Sequence, residues 1–331
     1  MFPNKVKQAW AEGRPVINGW LGIGNPFVAE IMAAAGFDSL TIDAQHGFLD
    51  YSDACAMLQA MRASGVTPLA RVPWREPGAI MKLLDAGVQG IICPMVNTAE
   101  EAAEFASYCR YPPHGTRSFG PTRVNFATPN YYAQANDEVL VIAMIETQEA
   151  FDNLDAICAT PGIDGVYIGP ADLTLGLSNG ALPPGQDREE PEMVAAIQRI
   201  QAAAAKAGIG AAIHTGGPDY AAKAIGWGFN MATIAADTTL LTSGSKAVVA
   251  EARQPTHRAG IDPLALLQRL LITGAAGALG NVARDHLAPL ATELRLSDIE
   301  PVIDLRPHEQ FVQADLGDAQ AMRDLVQGCD G

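Results

Sequence analysis

Three things are scarce in this sequence: long apolar runs, basic residues, and lysine in the middle of the chain. No segment reaches the roughly 20 consecutive apolar residues of a membrane-spanning helix, and the first stretch, MFPNKVKQAW, lacks the apolar core of a signal peptide. Only 22 Lys and Arg residues stand against 37 Asp and Glu, so the net charge is −15 and the pI is near 4.7. Such a chain repels phosphates, and we expect it to bind neither nucleic acid nor a membrane.

Cysteine is also scarce, with five residues in 331. Their number is odd and their spacing fits no metal-binding motif, so we expect reduced thiols in a cytoplasmic protein. The cysteines are Cys55, Cys93, Cys109, Cys158 and Cys329.

What the sequence does contain is an alternation of short β-rich runs with amphipathic, alanine-rich segments, from residue 15 to about residue 250. The β-rich runs are PVINGWL, FDSLTID, VTPLARV, QGIICPM, VLVIAMIE, DGVYIG, IGAAIH and FNMATIA. Eight such repeats predict an α/β fold, a (β/α)₈ TIM barrel, which we assign to residues 1–253. Two connections are long and irregular, at 110–138 and 178–192, and loops of that length are often functional.

A linker rich in Pro and Gly is predicted at 254–266, and a different pattern begins at 267. There, RLLITGAAGALG reads as a strand, then Gly274, Gly277 and Gly280 at the start of a helix whose amides could hold a pyrophosphate. Asp298 ends the next strand-like run, at the spacing expected for a ribose contact. Residues 267–331 are therefore predicted to be a truncated Rossmann-like βαβ unit, at which a dinucleotide such as NAD could bind.

Polar side chains collect where the predicted barrel strands end, which is where barrel enzymes place their active sites. The run TIDAQHG carries Asp43, Gln45 and His46 directly after the second strand. The other strand-end residues are Arg71, Glu146, Asp172 and His214. Each could be structural alone, as a surface ion pair or a helix cap, but together they favour a catalytic site. We set His214 aside, since a hydrogen-bonded histidine at the rim is the commoner case.

Two carboxylates on neighbouring strands, Glu146 and Asp172, suit a hard divalent cation: Mg²⁺, Mn²⁺ or Co²⁺. A 2-oxo acid chelated by such an ion loses a methyl proton easily and gives an enolate. Arg71 can stabilise the oxyanion, and His46 is the natural general base and acid. The alternative aldolase chemistry needs a Schiff-base lysine on a strand, yet no lysine lies between residues 83 and 205.

Five motifs in this order resemble the HpcH/HpaI aldolase family, over roughly residues 4–250. They are DAQHG at 43–47, ARVP at 70–73, LLDAGVQGIICPMV at 83–96, MIET at 144–147 and GPADL at 169–173. The resemblance implies class II, metal-dependent pyruvate aldolase chemistry, with roles for the residues at these motifs. Catalysis would involve Asp43, His46, Arg71 and Asp85, with Glu146 and Asp172 as the metal ligands and Gly169, Pro170 and Ala171 holding the pyruvate carboxylate.

By the same resemblance, Asp85 would raise the basicity of the histidine in a neighbouring subunit of a homo-oligomer, a trimer or hexamer. The chain departs from the family at two candidate substrate-binding positions, Gln45 in place of a common Glu and Met144 in place of a common Gln. Both changes affect the contacts expected for the aldehyde. The 110–138 loop, with Arg117 and Arg123, could replace them or could simply be solvated.

The tail resembles the start of an extended short-chain dehydrogenase/epimerase of the uronate dehydrogenase type, in TGAAGALG and RLSDI. Such enzymes need a catalytic tyrosine and lysine, but no tyrosine follows Tyr220 and no lysine follows Lys246. We therefore expect that NAD, if it binds the tail, has no catalytic function there.

The favoured hypothesis is retro-aldol cleavage of a 2-oxo-4-hydroxy acid, with 2-keto-3-deoxy sugar acids as first candidates, to pyruvate and an aldehyde. Two alternatives stay open: an acyl-CoA carbon–carbon lyase of the same superfamily, and a non-catalytic NAD-binding fusion.

Overall fold

The computed structural model describes residues 3–253 and 267–329. The chain divides into two compact units, Met1–Val248 and Val249–Gly331. The predicted linker at 254–266 lies outside the described residues. Within the described ranges, no helix is long and apolar enough to cross a membrane.

The first unit is a closed barrel of eight parallel strands, paired in chain order with β8 returning to β1. The strands are β1 Val16–Leu21, β2 Ser39–Asp43, β3 Thr67–Arg71, β4 Gly90–Cys93, β5 Leu140–Ile145, β6 Gly165–Ile168, β7 Gly210–His214 and β8 Met231–Ala236. All six residues of β5 are buried, because barrel strands face side-chain layers inside and helices outside. The predicted barrel is confirmed.

Helices surround the barrel and supply the return connections. They are α1 Lys5–Ala11, α2 Pro26–Ala34, α3 Tyr51–Ala60, α4 Pro77–Ala86, α5 Ala99–Cys109, α6 Thr122–Ala127, α7 Tyr131–Glu138, α8 Gln148–Asp152, α9 Leu154–Cys158, α10 Pro170–Leu177, α11 Pro191–Ala207, α12 Pro218–Gly226 and α13 Asp237–Arg253. Many begin with proline in the first turn, and Asn25 and Asp50 cap the ends of two of them. Both features favour helix initiation at these points.

The 110–138 connection is more ordered than predicted, since it contains α6 and α7. It joins a helix to the next strand, so it lies at the amino-terminal ends of the strands. Arg117 is buried there and donates hydrogen bonds to Asp85 (2.6 Å) and to the Tyr131 hydroxyl (2.8 Å). Arg123 donates to the Ala86 carbonyl. Within one chain these arginines therefore brace α4, and a role for them in substrate contacts stays a prediction.

The second unit is a three-stranded parallel sheet of order β11–β10–β9. Its elements are β9 Leu267–Thr273, α14 Ala278–Leu287, β10 Ala291–Asp298, β11 Glu309–Gln313 and α15 Ala319–Val326. Gly274 adopts a positive φ of 69°, and a Cβ on Gly280 would lie 2.2 Å from the Gly274 carbonyl oxygen, so both positions require glycine. Asp298 accepts a hydrogen bond from the Ala276 amide at 2.9 Å. A strand–glycine–helix arrangement is thus present, while NAD binding stays a prediction.

Candidate active site

The carboxyl ends of the barrel strands bring the predicted polar residues to one rim. Asp43 and Arg71 are the last residues of β2 and β3, and Glu146 directly follows β5. Asp172 lies in the first turn of α10, after β6. Because all eight strands are parallel, these side chains share the face on which barrel enzymes carry out their chemistry.

Asp43 and Arg71 form a bidentate ion pair across β2 and β3. Arg71 donates from Nε to Oδ1 at 2.9 Å and from Nη2 to Oδ2 at 2.7 Å, and the Trp20 indole N–H donates to Oδ2 at 3.1 Å. Burial alone would raise the pKa of the Asp43 carboxyl, but the hydrogen bonds and charge of Arg71 outweigh it and lower that pKa. Asp43 is therefore a fixed anion that orients the guanidinium.

Asp43 also shapes the turn that follows it. Its Oδ1 accepts from the backbone amides of Gln45 (3.2 Å) and His46 (3.3 Å). The His46 side chain is exposed on this turn, while the Gln45 side-chain oxygen is buried with no hydrogen-bond partner in the structure. An unpartnered buried acceptor costs free energy, so Gln45 is a position where a ligand donor would be stabilising.

Glu146 is buried beside Gly169 and is held by one backbone amide. Its Oε1 accepts from Met95 N at 2.7 Å. A Cβ placed on Gly169 would lie 3.1 Å from Glu146 Oε2 and 3.0 Å from Met144 Cε, so a larger residue here would require these two side-chain ends to shift. Burial, reinforced by the nearby charge of Asp172, raises the pKa of Glu146 to about 7. A cation here would relieve both effects.

The donor set fits a hard divalent cation. Glu146 and Asp172 offer carboxylate oxygens, and a site with only two protein ligands leaves positions open for water and substrate, as Mg²⁺ prefers. Among the residues described, no group of three or more His, Cys, Asp or Glu side chains is arranged to hold a metal. The fit therefore rests on this pair and on the space that Gly169 leaves beside it.

A cavity of about 120 Å³ opens between these elements. It is lined by Arg71, Met144, Tyr167, Gly169, Pro170, Ala171, Asp172, Gln186 and His214. This is the volume of about four water molecules, which suits a small polar ligand. Larger cavities, of about 360 and 620 Å³, contain Lys5 and Gln8 at the other end of the barrel, so chemistry rather than size identifies the site.

His214, which was expected to be a hydrogen-bonded histidine at the rim, also lines the cavity, as does Tyr167, which the sequence did not single out. The Tyr167 hydroxyl lies 3.1 Å from His214 Nδ1, and the Trp20 ring packs edge-on against the imidazole with centroids 4.9 Å apart. Burial, with the charge of Arg71, lowers the pKa of His214 to about 4. The position of His214 at a strand end was a usable signal, whereas Tyr167 inside a β-rich run gave none.

Asp85 is not brought to this site within the chain. It lies in the last turn of α4, toward the amino-terminal ends of the strands, and its carboxylate pairs with Arg117. The predicted partnership between Asp85 and the histidine can therefore form only between subunits.

The HpcH/HpaI aldolase/citrate lyase family model matches residues 17–243. A hydroxypyruvate/pyruvate aldolase of Rhizorhabdus wittichii is 43% identical over 251 residues, which is 76% of this chain and 99% of that protein. A 4-hydroxy-2-oxo-heptane-1,7-dioate aldolase of Salmonella heidelberg is 38% identical, over 75% of this chain and 94% of that one. A crystal structure of an HpcH/HpaI aldolase/citrate lyase family protein from Burkholderia cenocepacia superposes with a TM-score of 0.70 at 31% identity, covering 76% of this chain and all of the other.

Proposed function

Because this chain belongs to the HpcH/HpaI aldolase/citrate lyase family, we propose that it is a metal-dependent aldolase that cleaves 2-oxo-4-hydroxy acids to pyruvate and an aldehyde. The arginine–aspartate pair at the same rim as the Glu146–Asp172 carboxylates is the observation that carries this proposal. The names of the two aldolase relatives agree with the substrate class.

Glu146 and Asp172 would hold the divalent cation, Mg²⁺, Mn²⁺ or Co²⁺. When bound, such an ion supplies Lewis acidity to a keto acid. The pyruvate carboxylate would lie at Gly169, Pro170 and Ala171, where α10 begins and the helix dipole favours a negative charge. Pro170 has no N–H, so the amides of Gly169 and Ala171 are the donors available there. Met144 forms an apolar wall beside them.

Arg71 is suited to stabilise the oxyanion of the reaction. Two of its five N–H groups donate to Asp43, so the remaining N–H groups can donate to a ligand in the cavity. The pairing fixes the plane of the guanidinium before substrate arrives, which is how preorganised charge lowers a barrier.

His46 would move the protons. In the cleavage direction the C4 hydroxyl gives up its proton, the C3–C4 bond breaks, the aldehyde leaves, and C3 of the resulting enolate takes a proton to become pyruvate. An exposed imidazole on the turn that Asp43 holds can accept the first proton and return it in the second step. Asp85 of a neighbouring subunit would assist it.

That assistance requires a homo-oligomer, which we propose as a trimer or hexamer. Support comes from α13, whose Leu241 and Val248 side chains are 63% and 66% exposed. Apolar side chains on one exposed helix mark interaction surfaces. Light scattering after size-exclusion chromatography should give a mass of three or six chains.

The test is pyruvate release from a panel of 2-oxo-4-hydroxy acids, including 2-keto-3-deoxy sugar acids. EDTA should abolish release, and single divalent metals should restore it. Glu146→Gln should lose metal activation, whereas Glu149→Gln, an exposed neighbour, should keep it. Unchanged proton exchange at C3 of pyruvate in the Glu146→Gln enzyme would refute the assignment.

A further inference from the structure

A chain of polar side chains runs through the barrel interior to the cavity. Asn18 Nδ2 on β1 lies 2.8 Å from Thr233 Oγ1 on β8, and Thr233 Oγ1 lies 2.6 Å from the Tyr167 hydroxyl on β6. That hydroxyl lies 3.1 Å from Nδ1 of His214, at the end of β7. Asn18 and Thr233 are fully buried and Tyr167 is nearly so, so each hydrogen bond must have a defined direction.

The direction is set at the Asn18 end. The Asn18 carbonyl oxygen accepts from the hydroxyls of Ser39 (2.8 Å) and Thr41 (3.1 Å), so its amide nitrogen is the donor to Thr233. Thr233 Oγ1 lies 2.6 Å from the Tyr167 hydroxyl, and in the arrangement that continues this direction Thr233 donates to Tyr167. Tyr167 then donates to His214.

In this arrangement His214 Nδ1 is an acceptor and the ring proton sits on Nε2. Burial and the charge of Arg71 keep the imidazole neutral at ordinary pH, and the edge-on Trp20 ring fixes its plane. The chain of hydrogen bonds through Asn18, Thr233 and Tyr167, called the relay below, occupies Nδ1. The Nε2–H is therefore a permanent, oriented donor on the other side of the ring.

The surroundings indicate what this donor meets. His214 lines the cavity together with Arg71 and Asp172, which the proposed function assigns to the keto-acid half of the substrate. The loop after His214 is held by a hydrogen bond, since Gly216 N donates to Asp187 at 2.7 Å. Gln186, which precedes Asp187 in the chain, also lines the cavity. A neutral N–H donor beside Arg71 can serve a hydroxyl or carbonyl oxygen, neither of which requires a second positive charge.

We propose that His214 Nε2 donates a hydrogen bond to a hydroxyl on the aldehyde half of the substrate, and that the Asn18–Thr233–Tyr167 relay positions it for this. The inference rests on the proposed aldolase function and deepens it. It assigns His214 as a specificity-determining residue and Tyr167 as a positioning residue, and it names hydroxylated aldehydes as the favoured acceptors.

The first experiment compares two substrates that differ by one hydroxyl, 4,5-dihydroxy-2-oxopentanoate and 4-hydroxy-2-oxopentanoate. His214→Leu should lower kcat/KM for the dihydroxy acid about 10- to 100-fold, the size of one lost hydrogen bond in a polar site, and lower the other less than about threefold. His214→Gln, which keeps an amide donor, should recover most of the loss. An equal fall for both substrates, or none for either, would overturn the inference.

The second experiment needs no turnover. In ¹⁵N-histidine NMR spectra, His214 of the unmodified protein should show the Nε2–H tautomer, and Tyr167→Phe should give a mixture of tautomers. In the kinetic assay of the first experiment, Tyr167→Phe should also show a smaller preference for the dihydroxy acid. An Nδ1–H tautomer in the unmodified protein would overturn the relay. If the unmodified protein cleaves neither acid, the proposed function fails, and the tautomer alone then decides for or against the relay.

Discussion

Two carboxylates at this rim are held in opposite electrostatic states. Asp43 is surrounded by donors and stays ionised. For Glu146, burial and the nearby charge of Asp172 outweigh its one backbone donor, Met95 N, and raise its pKa to about 7. Environments that separate the pKa values of acidic groups are how a site assigns them different tasks. Here one carboxylate orients a guanidinium and the other is suited to a cation.

Because Asp43 orients the Arg71 guanidinium, we expect Asp43→Asn to lower the aldolase activity strongly. The amide presents one acceptor and no charge, so the guanidinium loses its fixed plane, and kcat/KM for aldol cleavage should fall about 10²- to 10³-fold. Asp38→Asn is the matched control, since Asp38 accepts from Ile17 N at the other end of the barrel. Activity within threefold of the unmodified protein in Asp43→Asn would contradict the role.

The raised pKa of Glu146 predicts that the stability of the metal-free protein depends on pH. Its folded pKa of about 7 lies above its ordinary value of 4.5, so the stabilising effect of the neutral carboxyl is complete below pH 4.5 and is lost as pH rises through 7. With EDTA present, Glu146→Gln should match the unmodified protein near pH 4.5 and exceed it by about 1–3 kcal/mol at pH 8. Urea unfolding at both pH values measures this, and a gain independent of pH would argue against a titrating Glu146.

At the scale of elements, the sequence predicted the eight strand–helix repeats well, but it did not predict the structure of the long 110–138 connection. Buried β-rich runs and amphipathic segments define all eight strands and the helices that cover them, because burial selects residues with that periodicity. The helices α6 and α7 were missed, since their packing depends on Arg117 meeting Asp85 across 32 residues of sequence. The direction of the relay to His214 was also out of reach, since it joins side chains from four strands.

The amino-terminal end of the barrel should carry stability rather than catalysis. Asp164, just before β6, accepts from Arg110 at 2.7 Å and from Val141 N at 2.9 Å, and Arg110 is buried. Asp164→Ala removes the carboxylate partner of the buried Arg110 guanidinium and leaves it only carbonyl acceptors, which should lower the free energy of unfolding by about 3–5 kcal/mol. Urea denaturation is the measurement, with kcat unchanged under conditions where the protein is folded.

The matched control for that prediction is Asp155→Ala. Asp155 and Lys206 are 3.3 Å apart, but their side chains are 67% and 79% exposed. Such surface pairs contribute little, so the change should be below about 0.5 kcal/mol. Equal losses of unfolding free energy for the two substitutions would show that Asp164 does not stabilise the amino-terminal end of the barrel.

For the whole molecule, the two compact units predict separable functions. The family match ends at residue 243, and the R. wittichii relative, 99% covered, aligns with 251 residues. A protein ending at Arg253 should therefore keep aldolase kcat/KM within about threefold of the full chain. A loss above tenfold with the fold intact, checked by circular dichroism, would show that the second unit contributes to catalysis and would contradict this expectation.

Gly169 has a consequence for attempts to broaden the range of aldehydes by laboratory evolution. A Cβ there would lie 3.0 Å from the end of the Met144 side chain and 3.1 Å from that of Glu146, so libraries that randomise this codon should return mainly glycine and other small residues. His214 and Gln186 border the same space without that restriction, and variants with new acceptor preferences should accumulate at those two positions.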